Sequence, residues 1–477
     1  MIRSNRGFAN CVVAGNWYIE KVASKRRLAL PPRTQHFVAK RENHRMHRSF
    51  LVLASSSLIL LAASLAFADE QQKKTDADPI TFAPTDWPWW RGPNRNGVAD
   101  GNQKPPMKWS ETENVLWKSP VPGRGHGSPI VVGDQIFLAT AQEQEAAQSV
   151  VCYDRKTGKQ LWQTEVHRGG VVQKGNGKST LASSTPACDG QRVFINFLHD
   201  GAIYTTALGR DGKKLWQTRI TSYTLHQGFG SSPAVYENLV IVSADNKGEG
   251  TGAIAALERG TGKVVWRVSR PATPNYASPI ILKVAGREQL FFTGCDLVTS
   301  LDPRSGAKIW EITGSTTETV TSTVTDGAII ITSGGYPKQH VSAVKADGSG
   351  QVVWEKKTKV YVPSMLMHRG YLYATTDAGV ATCWKAETGK EAWAGELEGI
   401  FTASPVLVGE HIFATNESGR TFIFKATPAG LDVVADNQLG SEVMATVTIC
   451  GGRIYMRVAV NQQGRRQEML VCVGNAK

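Results

Sequence analysis

Short apolar runs alternate with polar turns along the chain from residue 114 to its end. The runs are rich in β-branched and aromatic residues and are bounded by Gly, Asp and Asn, which predicts strands rather than helices. They recur as eight copies of three: a run that opens on Ser-Pro or a similar pair, a second apolar run, and a third that ends at a turn. The first copy reads SPIVVG, QIFLAT and SVVCYD, and the eighth reads ATVTICGG, RIYMRV and EMLVCV.

A fourth run completes most copies and usually carries a tryptophan, as in KQLWQTEV after the first copy. The seventh copy has the weaker LDVVADNQ and the eighth has none, but an orphan run, NVLWKSPV at 114–121, precedes the first copy. If this run joins the last copy, the units close into a ring with only short edges. The sequence therefore predicts an all-β fold, an eight-bladed β-propeller of four-stranded antiparallel blades whose ring is closed by the N-terminal strand. A linear solenoid would leave the orphan run unexplained.

The turn before the fourth strand has a recurrent form, which is DRKTGKQLW at 154–162 in the first copy. Gly158 can adopt the left-handed conformation of a tight turn. The tryptophan that follows can pack between neighbouring sheets while its indole N–H binds one backbone acceptor. A regular ring of such residues favours structural docking over ligand stacking. The expected docking positions are Trp117, Trp162, Trp216, Trp266, Trp310, Trp354 and Trp393.

Two of these turns carry a family motif. C-x-D-x-x-T-G-x-x-x-W at 152–162 and A-x-E-x-x-T-G-x-x-x-W at 256–266 resemble the tryptophan-docking motif of the pyrroloquinoline quinone (PQQ) repeat. That family includes quinoprotein alcohol dehydrogenases and the β-propeller of the outer-membrane assembly lipoprotein BamB. The resemblance extends from residue 114 to the C-terminus and implies the propeller fold. GRDGKKLW is one residue short and ATPAGLDVV lacks the tryptophan, so looser packing is expected at the seventh blade.

The resemblance does not decide whether the protein binds a cofactor. The quinone-dependent enzymes of the family carry adjacent cysteines, a calcium ion held by acidic and amide side chains, and an aspartate base; this chain has no Cys-Cys pair. Because a fold does not confer its relatives' chemistry, we expect no cofactor and no metal, with PQQ and calcium as the alternative. Residues that could serve such a site, but are also common turn formers, are Asp245, Asn246, Glu249 and Asp296.

Six cysteines fall in the propeller region, scattered singly and without a C-x-x-C motif, so metal ligation is not expected. An even number permits disulfides in an exported chain. Strand contexts such as VVCYD instead favour small buried strand residues. The six are Cys152, Cys188, Cys295, Cys383, Cys450 and Cys472.

The formal net charge of +13 by itself points to a nucleic-acid partner. Most of the excess lies in residues 1–68, which hold 11 Lys or Arg against 2 acidic residues. No Lys/Arg cluster flanked by aromatic residues follows. We therefore expect no nucleic-acid binding.

The N-terminal segment has the features of a leader if translation starts at Met46. A short basic start, an apolar run and the small-x-small pattern Ala66-Phe67-Ala68 predict a signal peptide. A transmembrane anchor would need about 20 apolar residues, so we expect export to the periplasm or beyond with no transmembrane anchor. The expected division is 1–45 untranslated or unstructured, 46–68 signal peptide, 69–113 linker and N-terminal arm, and 114–477 propeller.

The stretch WPWWRGPNRNG at 87–97 precedes the ring and belongs to no blade. It resembles the N-terminal signature of many exported bacterial PQQ-like propeller proteins. Its three tryptophans and two arginines could form a ligand surface. We favour a plug against the propeller that orders the N-terminal arm.

In a propeller, the loops before the inner strands and the loops between second and third strands share one face, which we call the funnel face. The residues just before the Ser-Pro runs are a mixture of cationic, amide and aromatic groups, which suits a polar or anionic ligand as well as a solvated rim. The candidates are Arg124, His126, Lys178, His226, Gln227, Asn275, Tyr276, Tyr361 and Glu442.

These features favour an exported, non-catalytic binding or scaffold propeller. It is expected to be a monomer that binds a protein partner or a small polar ligand. The alternative is a PQQ-dependent alcohol or sugar dehydrogenase.

We predict cleavage after Ala68, so that the secreted protein begins at Asp69. Intact-mass spectrometry of the secreted protein measures this directly. Ala68→Arg should retain the leader, because signal peptidase requires a small residue before the cut. A mature chain that begins before Met46 would contradict the prediction.

Overall fold

The structure, a computed structural model, describes residues 78–170 and 175–475 of the chain. The predicted leader and the segment before it lie outside the described residues and remain predictions. The described residues form strands, turns and one 3₁₀ turn, Glu143–Glu145. In this part of the chain, no helix has the length and apolarity needed to span a bilayer.

The strands form eight antiparallel sheets that follow one another along the chain. Within each sheet they run from an inner strand to an outer strand. Blades 1 and 2 consist of Ile130–Val132, Gln135–Gln142, Ala147–Asp154 and Gln160–His167, and of Ala187–Cys188, Arg192–His199, Ala202–Gly209 and Lys214–Ser222. Blades 3 and 4 consist of Ala234–Tyr236, Leu239–Ser243, Ala253–Glu258 and Val264–Ser269, and of Ile280–Val284, Arg287–Gly294, Leu297–Leu301 and Lys308–Thr313.

The second half of the chain repeats this order, which confirms the predicted eight-bladed propeller. Blades 5 and 6 consist of Val324–Thr325, Ile329–Gly334, His340–Lys345 and Val352–Lys356, and of Leu366–His368, Tyr371–Thr375, Val380–Lys385 and Glu391–Glu396. Blades 7 and 8 consist of Val406–Val408, His411–Thr415, Arg420–Lys425 and Val433–Gln438, and of Thr448–Cys450, Arg453–Gln462, Arg465–Val473 and Val115–Val121.

Burial changes from the inside to the outside of each blade. The three inner strands are covered on both faces by neighbouring blades, so Val150, Val151 and Cys152 are all fully buried. The outer strand Gln160–His167 instead alternates exposed and half-buried residues over most of its length. This is why the first three runs of each copy are almost continuously apolar and the fourth is mixed.

The last blade combines one strand from the N-terminal part of the chain with the three strands nearest the C-terminus. Val115–Val121 pairs antiparallel with Arg465–Val473, in a register that places Trp117 opposite Cys472. The orphan run is therefore the outer strand of blade 8. Blade 7 has one strand more than expected, because Val98–Ala99 pairs in parallel with the inner strand.

Hydroxyl groups link the inner strands of successive blades. Ser128 N donates to Thr185 Oγ1 at 3.0 Å, and Thr185 N donates to Ser232 Oγ at 3.0 Å. Four further bonds of this kind, at 2.9 to 3.0 Å, end on Ser278, Ser364, Ser404 and Thr446. Between blades 8 and 1, the Thr448 hydroxyl donates to the Pro129 carbonyl at 2.6 Å. These hydroxyl residues are all buried, and we call the set the hydroxyl belt.

A second set of contacts joins the outer strands to the next blade. The Trp162 ring lies against Gly212 of blade 2, 2.8 Å from where a Cβ on that glycine would stand. Its indole N–H donates to the Arg210 carbonyl of the same turn at 2.9 Å. The same bond to a backbone carbonyl of the next blade, at 2.7 to 3.2 Å, is made by Trp216, Trp266, Trp354 and Trp393.

Trp310 differs from this pattern. Its indole N–H donates to Gln289 Oε1 of its own blade at 3.0 Å. The next turn, KADGSGQVVW, is one residue longer than DRKTGKQLW. A Cβ on Gly350 of that turn would meet Ile312 rather than the indole. In this longer turn the glycine therefore contacts Ile312 instead of an indole ring.

Trp117 also differs. Its ring lies against Gly158 of blade 1, but its indole N–H has no hydrogen-bond partner among the described residues. The guanidinium of Arg453 donates to the Arg155 carbonyl of that turn at 3.5 Å. An arginine thus occupies the acceptor that the indole uses in other blades.

At the seventh blade, which lacks the docking tryptophan, an indole arrives from the N-terminal segment. Trp109 is 3% exposed and stacks on Phe413 of blade 7 with ring centroids 6.5 Å apart. Its backbone N–H donates to Asn437 Oδ1 on the outer strand at 2.9 Å. The expected looser packing is therefore offset by a residue from outside the repeat.

The docking contact predicts that Gly306→Ala destabilises the protein strongly. Gly306 has a φ of +70°, and a Cβ there would stand 2.6 Å from the Trp266 ring. Backbone strain and overpacking together should lower the free energy of unfolding by about 2–5 kcal/mol. Gly286→Ala is the matched control, because Gly286 has a φ of +78° but nothing within 4 Å of the added atom. Denaturant unfolding that gives equal losses for the two variants would contradict the docking role.

Candidate functional site

The segments before the inner strands, which we call lead-in loops, lie beside the ends of the second strands. Single backbone bridges join Arg124 to Ala141 and Glu442 to Ala459. Ala141 and Ala459 both lie in the C-terminal half of a second strand. The lead-in loops and the loops that follow second strands therefore meet on one face, which is the funnel face.

A group of ion pairs on blade 8 contributes to the funnel face. Glu468 is 2% exposed and accepts hydrogen bonds from Arg457 Nε at 2.6 Å and Arg466 Nη1 at 2.9 Å. Arg466 Nη2 also donates to Glu442 Oε1 at 2.8 Å, and this bond lowers the pKa of the Glu442 carboxyl. Only Glu442 was a sequence candidate. The signal for Arg457 was a charged residue inside the apolar run IYMRVAV.

Arg124 and His126 lie near these ion pairs without joining them. Arg124 has no ion-pair partner among the described residues, and its Nε is buried without a hydrogen-bond partner. The Nε2 of His126 is likewise buried without a partner. Burial, and then the positive charges of Arg124 and Arg457, lower the pKa of His126 to about 3. The imidazole is therefore neutral at neutral pH.

Lys178 makes an ion pair that joins distant blades. Its Nζ lies 2.7 Å from Glu417 Oε2. Lys178 belongs to the lead-in loop of blade 2, and Glu417 follows the second strand of blade 7. The lysine side chain is 58% exposed and the glutamate 16%, so the pair lies at the surface of the funnel face.

Glu318 is a site residue that sequence reasoning missed. Its side chain is 4% exposed, and Oε1 lies 3.2 Å from His226 Nε2. The Tyr361 hydroxyl donates to its other oxygen at 3.0 Å. Burial and then this carboxylate raise the pKa of Tyr361 and of Tyr276. The structure thus collects three candidates, from the lead-in loops of blades 3, 4 and 6, around one buried glutamate of blade 5.

The two remaining candidates have structural contacts. The Gln227 carbonyl accepts the amide of Asn176 at 2.9 Å, which ties two lead-in loops together. Asn275 is 5% exposed and donates to Asp245 Oδ2 at 3.1 Å, while its own carbonyl oxygen accepts the Thr319 amide at 2.9 Å. Asn275 is therefore part of the wall rather than of its surface.

Three of the four residues considered as calcium ligands or as a catalytic base form hydrogen bonds or ion pairs with other residues of the protein. Asp245 forms a buried ion pair with Arg270 at 3.1 Å. Asn246 Oδ1 accepts from the Gly248 amide at 2.8 Å and so shapes a turn. Asp296 accepts from a threonine hydroxyl at 3.0 Å, and Glu249 is exposed. Within residues 78–170 and 175–475, no three His, Cys, Asp or Glu side chains are grouped as metal ligands would be.

All six cysteines of the propeller are unpaired and buried. Five of them lie in strands, and Cys295 directly follows one. Burial raises the pKa of Cys152, Cys188, Cys450 and Cys472 to about 12. These thiols therefore stay protonated and behave as small apolar residues.

The N-terminal arm lies on the axis of the ring. Trp87 is 3% exposed and Arg91 is 2% exposed. Arm residues form hydrogen bonds with six blades, through Val131, Cys188, Val235, Ser322, Met365 and Leu407. These contacts agree with the interpretation of the arm as a plug and leave its aromatic residues little accessible surface.

The repeated docking turn and the eight blades define the class of protein, a propeller built from PQQ repeats. The family model described as outer membrane protein assembly factor BamB matches residues 106–222, 146–332 and 337–430. The chain belongs to this family, as the docking motif predicted.

Similarity extends both to BamB and to enzymes. Outer membrane protein assembly factor BamB of Burkholderia pseudomallei (strain K96243) is 25% identical over 357 residues, which cover 69% of this chain and 84% of that protein. Tetrathionate hydrolase of Acidithiobacillus ferrooxidans is 24% identical over 353 residues, which cover 64% of this chain and 66% of the enzyme. The solved quinohemoprotein alcohol dehydrogenase from Comamonas testosteroni superposes with a TM-score of 0.59 at 14% identity, covering 82% of this chain and 81% of the enzyme. That structural likeness shows the fold alone.

The low pKa of His126 predicts acid sensitivity. The unfolded chain takes up a proton at this residue near pH 6.5, whereas the folded protein does so only near pH 3. Stability is therefore lost as the pH falls through this window, by at most about 1.4 kcal/mol per pH unit. His126→Gln should reduce the loss in the free energy of unfolding between pH 6.5 and 4.5. Above pH 7, the free energy of unfolding of the variant should vary with pH as that of the original protein does. Denaturant unfolding across this range measures both, and parallel profiles throughout would contradict the prediction.

Proposed function

We propose that this protein is an exported, non-catalytic scaffold or binding propeller that contacts a protein partner through its funnel face. Membership of the BamB family carries the proposal. The relative in Burkholderia pseudomallei is named as an assembly factor for outer membrane proteins, and the similarity spans 84% of its length. In this proposal the chain acts as a monomer, and the predicted leader delivers it across the inner membrane.

The funnel face supports this role because its charged groups are held in place. The ion pair between Lys178 and Glu417 joins blades 2 and 7, and the pairs around Glu468 fix the end of blade 8. A surface that is already ordered loses little conformational entropy when a partner binds. Charged groups arranged in this way also select partners by electrostatic complementarity.

The alternative, a PQQ-dependent dehydrogenase, fits the residues less well. Asp245 is already neutralised by Arg270, and Asn246 uses its carbonyl oxygen within its own turn. A calcium ion would need these oxygens free, since it takes six to eight oxygen ligands. The six buried thiols also stand apart rather than as a reactive pair. The donor set thus disfavours a quinone site on this side of blade 3.

Photo-crosslinking in cells that express the protein tests the scaffold role. A photoreactive residue at Lys247, exposed on the funnel face, should form an adduct with one defined protein, and the same residue at Thr388 on the opposite face should not. Arg124→Ala combined with His226→Ala should weaken the Lys247 adduct at least fivefold while the melting temperature shows an intact fold. An adduct that forms only at Thr388, or one that the double variant leaves unchanged, would place the partner elsewhere.

A separate measurement tests the enzymatic alternative. The purified protein is incubated with PQQ and calcium, and the bound chromophore and dye reduction with alcohols and sugars are recorded. We expect no retained chromophore and no dye reduction. A stoichiometric chromophore with substrate-dependent reduction would establish the dehydrogenase.

A further inference from the structure

A cavity opens on the funnel face beside Arg124. Its volume is about 490 Å³, and it lies between the lead-in loops of blades 1, 2 and 3 and the loop between the second and third strands of blade 1. Pockets of roughly 300–1,000 Å³ hold small organic ligands. None of the residues discussed as calcium ligands lines it.

One wall of the cavity is apolar. Leu181, Leu198, Leu225 and Phe229 line it, and all four are half-buried. Each packs against a hydrophobic core cluster, and Phe229 also meets Tyr223 edge-on at 5.5 Å. These side chains are therefore fixed in position while part of their surface faces the cavity.

The lining also includes a cation that makes no direct ion pair within the described part of the chain. Arg124 lines the cavity and makes no ion pair among the described residues, while the nearby Glu442 is occupied by Arg466. Its Nε is buried without a hydrogen-bond partner. An unpaired, partly buried charge is costly, and a bound anion would relieve that cost. The one carboxylate of the lining, Glu143, is exposed.

Backbone contacts hold the lead-in loops of blades 2 and 3 together where they line the cavity. A Cβ on Gly175 would stand 2.0 Å from the Gln227 carbonyl, so only glycine permits the close approach of the two lead-in loops. The Asn176 amide bonds to the same carbonyl at 2.9 Å, and the Ser179 amide bonds to the Asn176 carbonyl at 3.0 Å. A preformed site binds a small ligand without first ordering its loops.

From the fixed apolar wall and the unpaired guanidinium, we infer that this cavity binds an organic anion with an apolar body. The acidic head pairs with Arg124, and the aliphatic or aromatic body lies against the leucines and Phe229. An inorganic anion would leave the apolar wall unused, and a neutral hydrocarbon would leave the guanidinium unpaired. This inference rests on the proposed function, because the cavity lies on the funnel face that the proposal assigns to binding.

Fluorescence titration of the purified protein with anilinonaphthalene sulfonate tests the inference. The probe should bind at one site per chain and be displaced by decanoate or by naphthoate; the stronger competitor distinguishes a lipid-derived ligand from an aromatic one. Decanol, which has the same chain without the charge, should compete at least tenfold more weakly than decanoate. Equal competition by decanol and decanoate, or no displacement by either acid, would overturn the inference.

Variants then locate the site. Arg124→Gln should weaken decanoate at least tenfold and change decanol little, whereas Leu198→Asn should weaken both. Arg219→Gln, at an exposed arginine on the outer strand of blade 2, is the matched control and should change neither. Unchanged decanoate affinity in a folded Arg124→Gln protein would contradict the inference. Crosslinking from Lys247 is measured separately, so a ligand that fails to bind while the adduct persists overturns this inference and leaves the scaffold proposal intact.

Discussion

The inner edge of the ring depends on hydrogen bonds between a backbone amide and a side-chain hydroxyl, which join six pairs of successive blades where their inner strands begin. Neighbouring blades present their faces to one another, so their inner strands cannot be joined by a continuous backbone ladder. Ser and Thr provide the missing acceptor, as between Ser364 N and Ser404 Oγ at 2.9 Å. Each bond alone stabilises the fold by only about 1 kcal/mol. Its geometric effect is larger, because it fixes the spacing of the inner strands and therefore the position of every lead-in loop.

The tryptophan contacts set the same spacing at the outer edge, and they tolerate more variation. Trp310 and Trp117 lose the usual acceptor, and at blade 7 Trp109 supplies an indole from outside the repeat. An outer junction can vary in this way because side-chain packing depends on shape and volume rather than on one exact partner. The belt varies only between Ser and Thr at the positions whose bonds are seen.

The sequence predicts those features that repeat locally, and it fails where the ring brings distant residues together. Blade number, strand order and the pairing of Val115–Val121 follow from periodicity, because each copy contains its own signals. Glu318 was missed because its partners, His226 and Tyr361, come from other blades. Asn275 was placed correctly before an inner strand, but its side chain donates a buried hydrogen bond to Asp245, thirty residues away. The cavity beside Arg124 likewise has walls from three blades, which no single stretch of sequence encodes.

The arm on the axis has a consequence for how the molecule is made. It forms hydrogen bonds with residues as late as Leu407, and the strand that follows it pairs with Arg465–Val473. At roughly 5–20 residues per second of synthesis, these partners emerge on the order of 20–80 s after the arm itself. Throughout that interval the nascent chain exposes several tryptophans that have nowhere to dock. The arm, which is synthesised before the blades, is thus among the last segments to find its contacts, and the ring cannot close until the strand Arg465–Val473 has been synthesised.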